Sequence, residues 1–291
     1  VSTAIVQTVF LIGATGHIGN VLIDELAPDH EAGRLRVKVG VRSDAARALV
    51  EGKGVEAVSF DLDRHEAFDA ALAGADTVFL LRPYTLRQMM YGKLVTDAAS
   101  RVGVQSMVTI GAYGRPETPW PVIAWNFLVE AYVERAKLGF THLQPNYFMD
   151  NTLAQRDPAS HTLFNRIKIP VSWIAAEDIA AVAAAVLRDP AAHAGKTYPL
   201  ASEVADVQQI AGYMSEITGI QHTVGATPPE KMMERLLAQG REHEYALALV
   251  EYVDAVSRGE VPEIADTFDT VERVTGRKAV TFKEFLAKNL R

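Results

Sequence analysis

The segment from Val9 to Gly19 limits what this chain can fold into more than any other. Val9-Phe10-Leu11-Ile12 is an apolar run, Gly13, Gly16 and Gly19 follow at three-residue intervals, and Val21-Leu22-Ile23-Asp24-Glu25-Leu26 continues with helical spacing. A strand that enters a glycine turn and leaves it as a helix has few architectural homes. Glycine permits a sharp turn and a close backbone approach, and the helix N-terminus offers unpaired N–H groups and the positive end of its dipole. These features suit the pyrophosphate of a dinucleotide. Gly13, Thr15, Gly16, His17, Ile18 and Gly19 are the expected cradle. The spacing Gly-x-x-Gly-x-x-Gly differs from the Gly-x-Gly-x-x-Gly of the commonest dehydrogenases, so it also points to a subgroup.

Alternating strands and helices extend the pattern through the first half. Leu35–Val41 alternates as a strand, Val55–Phe60 repeats it and ends at Asp61, and Thr77–Leu81 and Met107–Ile110 are short apolar runs suited to buried strands. Leu86 to Val102 has helical spacing, with Gly103 placed to end it. The expected fold is α/β: a Rossmann-type, doubly wound parallel sheet with helices on both faces. Ligands in such sheets bind beyond the carboxyl ends of the strands, so the loops after Ile12, Val41, Phe60, Leu81 and Ile110 should line one cleft.

Chemistry can be assigned to those loops. Arg42-Ser43 follows the second strand, where the adenosine ribose should lie. An acidic residue there would accept from a ribose 2′-hydroxyl; an arginine suits a 2′-phosphate and favours NADP(H) over NAD. Asp61 and Leu62 are expected beside the adenine. Leu81, Arg82 and Tyr84, with Gly111 and Tyr113, are expected to border the nicotinamide half, although Arg82 reads equally well as a solvated surface charge.

Composition narrows the partners. The 291 residues are 48% hydrophobic, enough to bury a full core, and the net charge of −7 with no long basic run argues against nucleic acid. The chain has no cysteine, which excludes disulfides, thiol catalysis and thiolate metal sites. No run reaches membrane-spanning length, and Val1–Gln7 lacks the pattern of a signal peptide, so a cytoplasmic protein with no membrane partner is expected. No metal is expected, because the histidines form no His-x-x-x-His or His-Glu-x-x-His motif, and no Gly-x-Ser-x-Gly elbow suggests a hydrolase. Gly195-Lys196-Thr197 lacks the first glycine of a phosphate loop, since Pro190 stands there. It is read as a turn into a strand, Thr197–Leu200. Oligomeric state is not readable from the sequence.

Gly13-Ala14-Thr15-Gly16-His17-Ile18-Gly19, Val41-Arg42-Ser43 and Gln144-Pro145-Asn146-Tyr147-Phe148-Met149-Asp150-Asn151 together resemble the NmrA-like family of atypical short-chain dehydrogenases/reductases. Val171-Ser172-Trp173-Ile174 leading to Asp178-Ile179-Ala180, Gly195-Lys196-Thr197-Tyr198, and Thr275-Gly276-Arg277 before Thr281-Phe282-Lys283-Glu284-Phe285 extend the resemblance over nearly the whole chain. It implies the fold and the cofactor more firmly than a reaction, since the family holds quinone reductases, isoflavone-type reductases, iminium reductases of ergot-alkaloid type and non-enzymatic redox sensors.

Typical short-chain dehydrogenases use a Tyr-x-x-x-Lys pair, in which the lysine lowers the tyrosine pKa for proton exchange with a carbonyl. None of the nine tyrosines here has a lysine four residues later. Many NmrA-like enzymes instead carry a lysine four residues before a glutamate; the glutamate matches Glu130, and the lysine position holds Asn126. Asparagine donates a hydrogen bond but supplies no proton. This disfavours simple ketone reduction and leaves acceptors that need no strong acid. The reading is NADPH-dependent hydride transfer to a quinone or similar small conjugated, aromatic substrate, with Asn126 or Tyr113 as catalytic hydrogen-bond donors. An iminium reductase and a non-catalytic NADP(H)-binding regulator are the alternatives. Tyr84, Trp125, Tyr147 and Phe148 are the candidate substrate contacts, with Tyr147 also facing the cofactor.

The organisation read from the pattern is a dinucleotide-binding domain over 1–150, to which 175–200 returns, and a smaller, mainly helical substrate lobe from 151–174 and 201–291. Pro158, Pro170 and Gln155-Arg156-Asp157 suggest a loop-rich excursion. Asp178–Leu187 reads as a helix, as do Lys231–Leu237 and Glu244–Val256, and capping boxes are expected at Asp206–Gln209 and Thr281–Glu284.

Overall fold

The computed structural model describes residues 6–290. Val1–Ile5, which hold most of the segment read above for a signal peptide, lie outside the described residues, as does Arg291. The first half runs β1 (Gln7–Ile12), α1 (His17–Glu31), β2 (Leu35–Val41), α2 (Asp44–Glu51), β3 (Glu56–Ser59), α3 (Phe68–Leu72), β4 (Thr77–Leu80), α4 (Gln88–Val102), β5 (Ser106–Ile110), α5 (Pro121–Arg135) and β6 (Gly139–Pro145). The remainder runs β7 (Tyr147–Phe148), α6 (Asp150–Gln155), β8 (Arg156–Asp157), β9 (Thr162–Asn165), β10 (Val171–Ile174), α7 (Ala176–Arg188), β11 (Lys196–Leu200), β12 (Glu203–Ala205), α8 (Val207–Thr218), β13 (Thr223–Ala226), α9 (Pro229–Ala238), α10 (His243–Ser257), α11 (Thr270–Thr275) and α12 (Phe282–Asn289).

The central sheet has seven parallel strands in the order β3-β2-β1-β4-β5-β6-β11. It is a doubly wound Rossmann-type sheet. The order in which strands are added reverses between β1 and β4, and the crevice beyond their carboxyl ends is the expected ligand position in such a sheet. Alternation within β1 shows why both faces are covered. Val9 and Leu11 pack with Leu22, Ile23 and Leu26 of α1 and with the alanine-rich α7. Phe10 and Ile12 face the other way, onto Phe68 and Leu72 of α3 and Val95 and Ala99 of α4. A strand buried on both sides is apolar throughout, which is why these runs carry no polar alternation.

Local signals fall where the spacing puts them. Gly103 ends α4 in the left-handed conformation (φ 82°), and both capping boxes form. Asp178 on α7 is fully buried and accepts from the Val280 N–H (2.9 Å) and Arg277 Nη1 (2.7 Å), which fastens the C-terminal segment to the sheet layer. The segment expected to be loop-rich is a correction. It contains α6 and short strands of two small sheets, β12-β10-β7 and β13-β9-β8, so the lobe over the strand ends is helical with two three-stranded sheets. Strands of two to four residues are too short to show a period. Among the described residues, no helix is long and apolar enough to cross a membrane, and no group of three His, Cys, Asp or Glu is placed to hold a metal.

The glycine turn depends on close packing. A Cβ on Gly19 would sit 2.1 Å from the Ala14 Cα, whereas one on Gly16 would meet nothing closer than the Gly13 carbonyl oxygen at 3.7 Å. Gly19→Ala is therefore expected to lower unfolding free energy by about 1–3 kcal/mol through overpacking. Gly16→Ala should change it by less than about 0.5 kcal/mol. Urea denaturation of both variants checks the contrast.

Candidate active site

All seven strands point the same way, so their carboxyl ends bring the assigned loops to one edge. At β1 the chain turns through Gly13 (φ 78°), where a side chain would lie 2.1 Å from the Leu81 carbonyl oxygen. This approach joins the loops after β1 and β4. Helix α1 then starts at His17 with no side-chain cap and no acidic residue in its first turn. The N–H groups of His17, Ile18 and Gly19 are left without helical partners. With the open space beside Gly16, this is a fitting cradle for a pyrophosphate. Thr15 is exposed, Ile18 is core, and the His17 imidazole reaches Asp150 Oδ1 at 2.5 Å. Asp150 Oδ2 accepts from the Ala176 N–H (3.0 Å), so one carboxylate links the glycine loop, α6 and the start of α7.

Arg42 stands exposed beyond β2 and has no hydrogen-bond or ion-pair partner among the described residues. Its neighbour Ser43 caps α2. An uncommitted guanidinium at this position fits a 2′-phosphate. Asp61 follows one residue after Phe60, with Oδ1 accepting from the Asp63 N–H (3.1 Å), and Leu62 packs against the core under β3 and β4.

Beyond β5 and β6 lies a cavity of about 430 Å³. Gly111, Ala112 and Tyr113 line it from β5, Val122, Ile123 and Asn126 from α5, and Asn146, Tyr147 and Phe148 from β6–β7. Tyr84 stands at its rim, 41% exposed, with the Arg241 guanidinium over its ring. The cavity therefore gathers Tyr84, Gly111, Tyr113, Asn126, Tyr147 and Phe148 of the candidate residues. Trp125 is not among them. It lies beside the face of α5 that carries Val122, Ile123 and Asn126, and its ring stacks on Tyr245 (centroids 5.8 Å apart). Trp120 likewise packs on Tyr252. Strand β10 supplies Trp173, which belongs to the Val171–Ile174 motif but was not expected as a site residue. The helical part of the lobe supplies Arg235, Arg241, Tyr245 and Tyr252, which sequence reasoning missed because no local motif marks them.

Two candidate donors are already committed. Asn126 is buried, with Nδ2 donating to the Val122 carbonyl (3.0 Å) and Oδ1 accepting from Arg82 Nη2 (3.0 Å). One amide N–H remains. The Tyr113 hydroxyl donates to Asp266 Oδ2 (2.6 Å), and burial with that carboxylate pushes its pKa up. Tyr147 differs: its hydroxyl is buried without a partner, and burial raises it well above the ordinary phenol value.

Arg82 is a correction to the solvated reading. It is 6% exposed and lies behind Asn126, with Nη2 also donating to the Ile110 carbonyl (3.1 Å). Burial lowers it to about 10, so it stays a cation at neutral pH. Facing it is Glu130, whose Oε2 accepts from Gln144 Nε2 (2.7 Å). Burial raises Glu130 to about 7 against the pull of Gln144 and Arg82. Gly111 leaves room for this carboxylate, since a Cβ there would lie 2.3 Å from Glu130 Oε1. Arg82 Nε and Nη1 and Glu130 Oε1 have no partners, and a position that also held a lysine would add a second cation to this pocket.

The chain belongs to the NmrA-like family, whose model matches residues 6–286. It is 29% identical over 290 residues to the NAD(P)H azoreductase of Xenophilus azovorans, covering 95% of this chain and 96% of the relative. The NADPH-dependent quinone oxidoreductase of Escherichia coli, solved with NADPH, superposes with a TM-score of 0.82 at 21% identity, covering 97% of this chain and all of that one. NmrA, a negative transcriptional regulator solved with NADP, gives 0.76 at 19% identity, covering 98% and 95%. At those identities the two structures show the shared fold.

Glu130 titrates at about 7 when folded against 4.5 for a free side chain, so the folded chain holds a proton that the unfolded chain has released. Its contribution is full below pH 4.5 and is lost as pH rises through about 7, a swing of roughly 3 kcal/mol. His142, lowered by burial from 6.5 to about 4, acts oppositely and loses its contribution as pH falls through that range. Glu130→Gln removes only the first titration. Urea melts from about pH 5 to about pH 8 should show the variant gaining roughly 2–3 kcal/mol relative to wild type across the range. A pH-independent difference would place the carboxyl at its ordinary value.

Proposed function

We propose that this chain is an NADPH-dependent oxidoreductase that delivers a hydride to a quinone or a similar conjugated, aromatic acceptor. The cavity beyond β5 and β6 carries the reading. Tyr147, Phe148, Trp173, Tyr245 and Tyr252 line it, their rings suit a planar ligand, and the sequence has no Tyr-x-x-x-Lys motif. The azoreductase and quinone oxidoreductase relatives support it, because azo groups and quinones are both planar conjugated acceptors.

The uncapped first turn of α1 would hold the pyrophosphate, Arg42 the 2′-phosphate, Asp61 and Leu62 the adenine end, and Leu81, Gly111 and Tyr147 the nicotinamide end. NADPH supplies the hydride when bound. The chain's own contribution is position: the aromatic walls press the acceptor toward Gly111 and exclude water from its faces. Asn126 has no proton to give, and burial holds the protons of Tyr113, Tyr147, Tyr245 and Tyr252 firmly. The acceptor takes one hydride and one proton, with water as the proton source. A reduced quinone spreads its charge over the ring and can wait for that proton. The unpartnered Tyr147 hydroxyl is the group best placed to donate a hydrogen bond to an acceptor oxygen.

Asn126 in the lysine position favours a second reading, a regulator that binds NADP(H) without turnover. Stopped-flow loss of NADPH absorbance against a panel of quinones separates the two. Turnover with at least one quinone is expected; its absence with every acceptor, alongside calorimetric discrimination between NADP⁺ and NADPH, would support the regulator. Arg42→Ala should weaken NADPH about tenfold or more while leaving NADH nearly unchanged. Equal loss for both would refute the 2′-phosphate assignment.

A further inference from the structure

The charge of the acceptor cavity runs against the charge of the chain. The protein carries −7 overall, yet the ionised side chains that line this cavity are Arg166, Arg235 and Arg241, with no Asp or Glu among the lining residues. The three arginines differ in what already holds them. Arg166 is neutralised: its Nε pairs with Asp254 Oδ1 and its Nη1 donates to the Thr227 carbonyl (3.3 Å). Arg241 has no carboxylate within ion-pair distance; one Nη1 donates to the Tyr84 carbonyl (2.7 Å), and the guanidinium lies over the Tyr84 ring at 5.8 Å. Arg235 has no hydrogen-bond or ion-pair partner among the described residues. It projects from α9, the helix that also brings Met232 and Leu236 to the cavity.

The groove next to the cavity, about 390 Å³, shares Arg235 with it and adds Arg156, whose Nε donates to His222 Nε2 (3.1 Å), and Lys231, which pairs with Glu234 Oε2 (2.8 Å), with Asp157 as its one lining carboxylate. The basic character thus continues outward from the aromatic walls. Two guanidiniums that keep open donors beside an apolar slot form a recognition element for an anion attached to a flat ring system.

The geometry points to an acceptor that carries an anionic substituent, a carboxylate, sulfonate or phosphate, with its ring system between the aromatic walls and its anion on Arg235 and Arg241. This rests on the cavity being the acceptor site of the proposed reductase. Arg235 and Arg241 are specificity-determining residues, and the same lining opposes a cationic acceptor such as an iminium ion.

The test uses redox-inert ligands, so that it does not depend on turnover. Calorimetry at low salt compares 2-naphthoate with its neutral isostere 2-naphthamide, on wild type and on Arg235→Gln. The expected result is a preference for naphthoate of about tenfold or more in wild type, reduced at least several-fold in Arg235→Gln, with naphthamide affinity unchanged. Arg235 is exposed and bonds to nothing, so that variant folds; Arg241→Gln, checked by its melting curve, is the second arm and should reduce the preference further. Equal affinity for the two ligands in wild type, including no measurable binding of either, overturns the inference, as does a preference that survives both substitutions. Selective naphthoate binding by a chain that reduces no quinone would keep this inference while removing the reductase reading.

Discussion

Two backbone approaches that admit no side chain set the geometry on which the rest depends. Gly13 brings the loop after β1 against the Leu81 carbonyl, and Gly19 brings the first turn of α1 against Ala14. Each would clash at 2.1 Å if a Cβ were present, so both contacts are fixed by the absence of an atom. Together they place the helix N-terminus beside the point where the strand order reverses. The free N–H groups then face the same edge as Arg42, Gly111 and Tyr147. This half of the site is made of backbone, and a three-glycine spacing is enough to encode it.

The other half is made of side chains and includes a buried charge pair. Arg82 and Glu130 lie behind Asn126, and burial works against both charges: the arginine falls to about 10 and the carboxyl rises to about 7. Burying ionisable groups with open hydrogen-bond positions is costly, and replacement by apolar residues is often neutral or stabilising. What the cluster fixes is orientation. Arg82 grips the Asn126 amide and the end of β5, and Glu130 is held by Gln144 of β6. The cation therefore sits one layer behind the position where many family members place a lysine. The chain keeps a cation behind Asn126, and the group in this cluster that titrates near neutral pH is the Glu130 carboxyl beside Gly111.

The legibility of these features follows from how far apart in sequence their causes lie. Gly103, the capping boxes and the turn at Gly195 are local, and each element sits within a residue or two of its expected bounds. The sequence pattern located the sheet because β1, β4 and β5 are short apolar runs buried on both faces and β2 alternates visibly between buried and more exposed residues. It failed for β7 to β10, which are too short to alternate visibly. Arg82 could be read equally as a cofactor contact or a surface charge because nothing adjacent betrays that Asn126, 44 residues on, will cover it. Trp125 and Asn126 are neighbours in sequence, yet one turns toward Tyr245 and the other lines the cavity. A position within a helix gives a face only when the packing partner is known. Tyr245, Tyr252, Arg235 and Arg241 reach the site from α9, α10 and the turn between them, and no motif near the glycine loop points to them.

This asymmetry has a consequence for how chemistry and selectivity divide. The proposed cofactor side depends on Gly13 and Gly19, where a Cβ would meet backbone at 2.1 Å. The far side of the proposed acceptor cavity is a wall of side chains from α9, α10 and the turn between them, away from the glycine turn. Exchanging an arginine on α9 alters the charge of the wall without touching the sheet, α1 or the Arg82–Glu130 pair. The proposed reaction, which draws its driving force from the cofactor and needs no dedicated acid, is suited to such a division, since its rate would depend on how the acceptor lies against Gly111. The cavity wall that would set that placement combines flat aromatic rings with two arginines, Arg235 and Arg241, that have no carboxylate partner among the described residues.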